Sequence, residues 1–72
     1  MSSVGEEFPK EQERCRQLLA TYKSLAAEFG TGVNTKFAEL VVEDVLRRAD
    51  QAMAFGDIVA ILRTFKEMQE LE

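Results

Sequence analysis

Apolar side chains return every three or four residues along most of this chain, and the series is interrupted twice. From Cys15 onward, Leu18, Leu19, Tyr22, Leu25, Ala26 and Phe29 keep to one side of a 3.6-residue turn. Pro9 precedes them, and its missing N–H costs nothing in a first turn. Glu11 and Glu13 then favour the positive end of a helix dipole. The spacing predicts a first helix over about 9–29, ended by Gly30 in the left-handed conformation. The segment GTGVN makes a turn, and Asn34 or Thr35 can cap the next helix.

A second helix is predicted over about 35–55. Its apolar positions, Phe37, Ala38, Val41, Val42, Val45, Leu46, Ala49, Ala52, Met53 and Phe55, cover about half the circumference, against the ~100° of an ordinary surface helix. A face so wide needs more than one neighbour. Leu40 falls on the opposite, charged side. Glu43 with Arg47 and Asp44 with Arg48 have the spacing of favourable pairs along one helix. Gly56 then leaves this helix and Asp57 caps a third, predicted over about 57–70 with a stripe of Ile58, Ile61, Leu62, Phe65 and Met68; Val59 lies off that stripe. The first two helices share a Phe-Gly ending, AAEFG and AMAFG, but the match decays upstream, so there is no internal repeat.

These elements predict an all-α domain, a three-helix up-down-up bundle, with residues 1–7 as a flexible N-terminal tail and 8–72 as one helical domain. In that order of helices the two turns lie at opposite ends. Phe29 and Phe37 would close one end of the core and Phe55 the other, with Phe8 stapling the start of the first helix. The broad second helix, Leu40 on its charged side and Val59 off the stripe point to surface buried beyond one monomer. Tyr22, Phe37, Leu40 and Val59 are the candidate contact residues of a homodimer.

Composition narrows the functional classes. With 72 residues the chain is a single domain of the size that buries only about 60% of its unfolded surface. One cysteine permits no intrachain disulfide, and the absence of histidine removes the usual structural zinc sites. Thirteen acidic residues against nine basic give a net charge of −4, with no basic run beyond Arg47-Arg48. That opposes a phosphate-neutralising face and binding to an anionic membrane surface. The opening MSSVGEEFPKE has neither the basic start nor the apolar run of a signal peptide, and a cytoplasmic location is expected.

The chemistry-bearing residues support no catalytic, cofactor or metal site. No histidine is present as a general base, and Cys15 has none to activate it. Cys15 sits on the apolar stripe and reads as a small buried hydrophobe, with Arg14 and Arg16 diverging to either side. Glu39, Glu43 and Asp50 share the exposed side of the second helix and lack the inward His partners of a di-metal bundle. A helix-turn-helix at 48–67 would set Ile58, Val59 and Ala60 where base-reading polar side chains belong, so Gly56-Asp57 reads as a bundle corner. The same corner resembles the bend of tetratricopeptide-like arrays, but one hairpin is not an array.

Two segments, FPKEQERCRQLLATYKSL (8–25) and VLRRADQAMAFGDIVAILRTFKEMQEL (45–71), together resemble a group of small uncharacterised proteobacterial helical proteins, often phage- or mobile-element-associated. The resemblance implies a small bacterial accessory protein and assigns no activity or site residues. The function expected is a non-catalytic helical interaction module that self-associates. The alternative is a phage-type regulator that binds a basic or nucleic-acid-binding protein partner through Glu39, Glu43, Asp50 or the Glu67/Glu70 face, with DNA itself the less favoured target.

Overall fold

The computed structural model describes residues 3–29 and 35–71. They form three helices: α1 (Val4–Phe29), α2 (Lys36–Phe55) and α3 (Ile58–Glu70). All three pack against one another as an all-α bundle, with α2 antiparallel to its two neighbours. Gly30 and Asn34, expected at the first turn, lie outside the described residues, as do residues 1 and 2.

α1 begins five residues before the predicted start. The Ser3 hydroxyl accepts from the Glu6 amide at 3.3 Å, and the Ser3 carbonyl accepts from Glu6 and Glu7 at 3.1 and 2.9 Å. Residues 4–7, expected in a tail, are therefore the capped first turns of the helix, and Val4 packs on the core to hold them there. The signal was present as Ser3-x-x-Glu6, the spacing of a capping box. Pro9 consequently lies inside the helix. It withholds one amide from the carbonyl of Gly5, an exposed residue that water reaches. Phe8 is no staple: it is fully buried, with its ring 6.2 Å from that of Phe65.

The second joint forms as predicted. Gly56 has φ 64° and ψ 29°, the left-handed region that glycine adopts without a Cβ penalty. Its amide donates to the Met53 carbonyl at 3.3 Å, and the Asp57 amide donates to Ala52 at 3.1 Å, which satisfies two carbonyls at the end of α2. The Asp57 carboxylate accepts from the Ala60 amide at 3.2 Å and caps α3. At the start of α2, Thr35 holds the cap position without capping; its hydroxyl donates to Glu39 at 2.8 Å.

The core is built from Phe8 and Cys15 of α1, Val42, Val45, Leu46, Ala49 and Ala52 of α2, and Met68 of α3. Two corrections concern the faces. α3 buries Thr64 and Met68 with Ile61 and Phe65 partly covered, whereas Ile58 and Leu62 of the predicted stripe are exposed. Thr64 is tolerated there because its hydroxyl donates to the Ala60 and Ile61 carbonyls at 2.7 and 3.2 Å, so no polar group is stranded. The phenylalanines also do not close the ends: Phe29, Phe37 and Phe55 all face solvent.

Replacing Gly56 by alanine is expected to cost about 1–2 kcal/mol, since the left-handed backbone penalises a Cβ. Asp57→Ala should cost about 1 kcal/mol by removing the cap. Urea unfolding of each variant checks both, and Gly56→Asn should lose less than Gly56→Ala.

Candidate interaction surfaces

The consecutive residues Arg14, Cys15 and Arg16 leave α1 about 100° apart; the first two reach α3 and the third reaches α2. Arg14 donates through Nη1 to the Leu71 carbonyl at 3.0 Å and through Nη2 to the Met68 carbonyl, while Nε is 2.9 Å from Glu11. It neutralises the carbonyl end of α3, where a cation is favoured. Arg16 reaches Asp50 of α2 at 3.8 Å. Cys15 between them is fully buried, and desolvation pushes its thiol pKa up against the smaller lowering by Arg14. An electropositive, exposed setting is what makes a thiol reactive, and Cys15 lacks the exposure.

The carboxylates singled out on α2 are spread among internal partners. Glu39 accepts from Thr35, Glu43 lies 3.5 Å from Lys23 of α1, and Asp50 accepts from Gln12 at 2.9 Å. Gln12 is a buried polar residue that the apolar pattern concealed. Asp44 bonds Arg47 at 2.6 Å and Arg48 at 2.9 Å. The hydrogen bond from Arg48 is the main reason its carboxyl is held below the ordinary value. Arg48 also forks onto Glu67 of α3, at 2.7 and 3.2 Å. Glu43 therefore takes a partner on α1 where Arg47 was expected, and Glu67 takes one on α2. Among the described residues no three carboxylate or thiol groups are placed to hold a metal ion, and no helix is long and apolar enough to cross a membrane.

The exposed large apolar side chains fall into two groups. At the Gly56 corner, Phe55 is 84% exposed and Val59 66%, beside Met53, Ile58 and Leu62. A groove of about 290 Å³ opens among Val4, Phe8, Met53, Ile58, Ile61 and Leu62, with no charged residue in its lining. At the other end of α2, some 18 residues or about 27 Å away, Phe37 is 78% exposed, with Phe29 and Leu40 also open to solvent and Val41 half-buried. Of the four candidate contact residues, Phe37, Leu40 and Val59 are exposed, and Tyr22 packs partly buried against the core. They do not form one patch. Phe37 and Leu40 belong to the far end and Val59 to the corner. The corner group, apart from Val59, was hidden because Ile58 and Leu62 fit a helical stripe that the bundle turns outward.

α1 shows why the far end is open. Its stripe is fully or nearly buried at Phe8, Gln12 and Cys15, half-buried from Leu18 to Ala26, and exposed at Phe29. α3, with 13 residues, rises about 20 Å and ends beside Arg14, whereas α1, with 26, rises about 39 Å. Beyond α3 the two longer helices continue as a two-helix arm.

Cys15 is expected to resist a thiol reagent such as DTNB until the chain unfolds, so that reactivity and loss of helix share the same urea dependence. Asp44 has a lowered folded pKa, so the stability it contributes is complete above about pH 4, the ordinary carboxylate value. That contribution disappears as pH falls through the lower folded value. The stability gap between the wild-type chain and Asp44→Asn should therefore close on acidification, as thermal melts across that range will show.

No family model, curated protein or solved structure matches the chain.

Proposed function

We propose that the chain is a non-catalytic helical interaction module, a small bacterial accessory protein of the cytoplasm that associates with itself by helix–helix packing. The observation that carries this reading is the exposure of eight large hydrophobic side chains, from Phe29 to Leu62, among the described residues. Clusters of exposed apolar side chains mark sites of association on soluble proteins, and these eight fall into two such clusters. Three of the residues that sequence reasoning put forward for the contact, Phe37, Leu40 and Val59, are among the eight.

The alternative, a regulator that docks a basic or nucleic-acid-binding partner on an acidic face, has less support. Glu43, Asp50 and Glu67 are each within reach of a cation of the chain itself, and Glu39 of a hydroxyl. Direct reading of DNA has less again, because the exposed start of α3 is Ile58 and Val59.

Sedimentation or light scattering at micromolar concentration tests the proposal. A mass above that of one chain is expected. Because like-charged copies would meet over apolar surface, the association should hold or tighten as salt rises, whereas capture of a basic partner would weaken. A chain that stays monomeric throughout removes the self-association reading.

A further inference from the structure

The self-association proposed for the chain leaves open which of the two apolar groups makes the contact, and the bundle itself distinguishes them. Glu11, Arg14 and Cys15 mark the line along which α1 meets α3: Arg14 and Cys15 both reach the Met68 carbonyl, and Glu11 holds Arg14. Leu18, Tyr22, Leu25 and Phe29 continue that line at steps of four, three and four residues, past the point where α3 stops. On α2, Phe37 and Val41 precede Val45 and Arg48, and Arg48 forks onto α3, so these two lie on the same side of the arm. The six side chains thus occupy the place where a third helix is missing, and none of them is charged. The ion pairs nearby, Lys23 with Glu43 and Asp44 with Arg47, are already made within the chain.

We infer, resting on that self-association, that this open face of the arm is covered by the same face of a second copy, the two related by a two-fold axis, so that the arms of both chains complete a four-helix layer. A two-fold contact needs a patch that is complementary to itself. An uncharged strip of large apolar side chains spread over two helices meets that condition, because it brings no like charges into register. A single added helix would fill the seam between α1 and α2 and leave Phe29 and Phe37 at its edges; a second two-helix arm spans both.

The size also fits a second copy. The arm beyond α3 is about 20 Å long and two helices, about 20 Å, across, which gives about 400 Å² of face on each chain. Two such faces remove about 800 Å² in all, the size of a weak, transient contact. The pair is therefore a weak, reversible dimer. The corner groove remains outside it.

The test is sedimentation velocity of the full chain over a concentration series, on the wild type, on Val41→Glu and Phe37→Ser in the arm, and on Val59→Asp at the corner. Phe37 and Val59 are exposed and Val41 is half-buried, so circular dichroism first checks that each variant keeps its helices. Burying an unpaired carboxylate should weaken the dimer about tenfold or more in Val41→Glu. Phe37→Ser should weaken it in the same direction, while Val59→Asp leaves it within about twofold, since an acidic residue early in a helix is itself favourable. Loss of the dimer in Val59→Asp with the arm variants unaffected would overturn the arm as the interface and leave self-association standing. Equal losses at both ends would overturn it too. A wild-type chain that never dimerises would remove the underlying proposal as well.

Discussion

The chain reverses at Gly56 in the left-handed region, and the length of the helix beyond it decides how much of α1 and α2 gains a third neighbour. Because α3 has only 13 residues, the three-helix core is confined to the end of the molecule near that corner. Phe8, Cys15, Ala49 and Met68 are fully buried there, whereas beyond α3 the stripe of α1 is half-buried from Leu18 to Ala26 and exposed at Phe29. A molecule whose long axis is 40 Å is thus a bundle at one end and a two-helix arm at the other. The open face of the arm stems from that mismatch more than from any individual motif.

The polar residues hold the three helices in place. Arg14 ties α1 to the carbonyl end of α3, Arg16 and Gln12 tie it to Asp50 of α2, and Arg48 joins α2 to α3 through Glu67. Exposed ion pairs of this kind contribute little each, about 0–1 kcal/mol. Their role here is as much one of register, since each joins specific turns on two helices. They also engage four of the nine basic residues across helices, counting Lys23 with Glu43. A basic face for nucleic acid is correspondingly hard to assemble. Among the described residues, every buried side-chain nitrogen and oxygen has a hydrogen-bond partner, so none is left to mark a hidden ligand site.

The candidate surface was only partly legible beforehand. Leu40 and Val59 stood out because each broke a helical stripe, and both are exposed. Phe37 was singled out as well, although as a core aromatic it should have closed one end of the bundle. Ile58 and Leu62 escaped notice for the opposite reason. They fitted the stripe of α3, and a helix wheel alone cannot say which part of an apolar arc faces the neighbours. Thr64 and Gln12, polar by composition, were the residues that occupied the buried positions. A hydroxyl satisfied by its own helix and an amide satisfied by Asp50 carry no apolar signature.

What the sequence determined by itself was local: three helices, the Gly56-Asp57 joint with its glycine exit and aspartate cap, the apolar character of Cys15 and the divergence of its flanking arginines. Each depends on residues within a few positions of one another, so periodicity and capping chemistry suffice. The early start of α1 was also local, written in Ser3 and Glu6, and was obscured by the conventional placing of proline in a first turn. Only the tertiary structure decided which arc of α3 is buried, which carboxylate pairs with which arginine, and that Phe29, Phe37 and Phe55 stay outside the core. Those outcomes depend on where α3 ends relative to α1, a relation between residues more than fifty positions apart. No local pattern of apolar and polar residues encodes it.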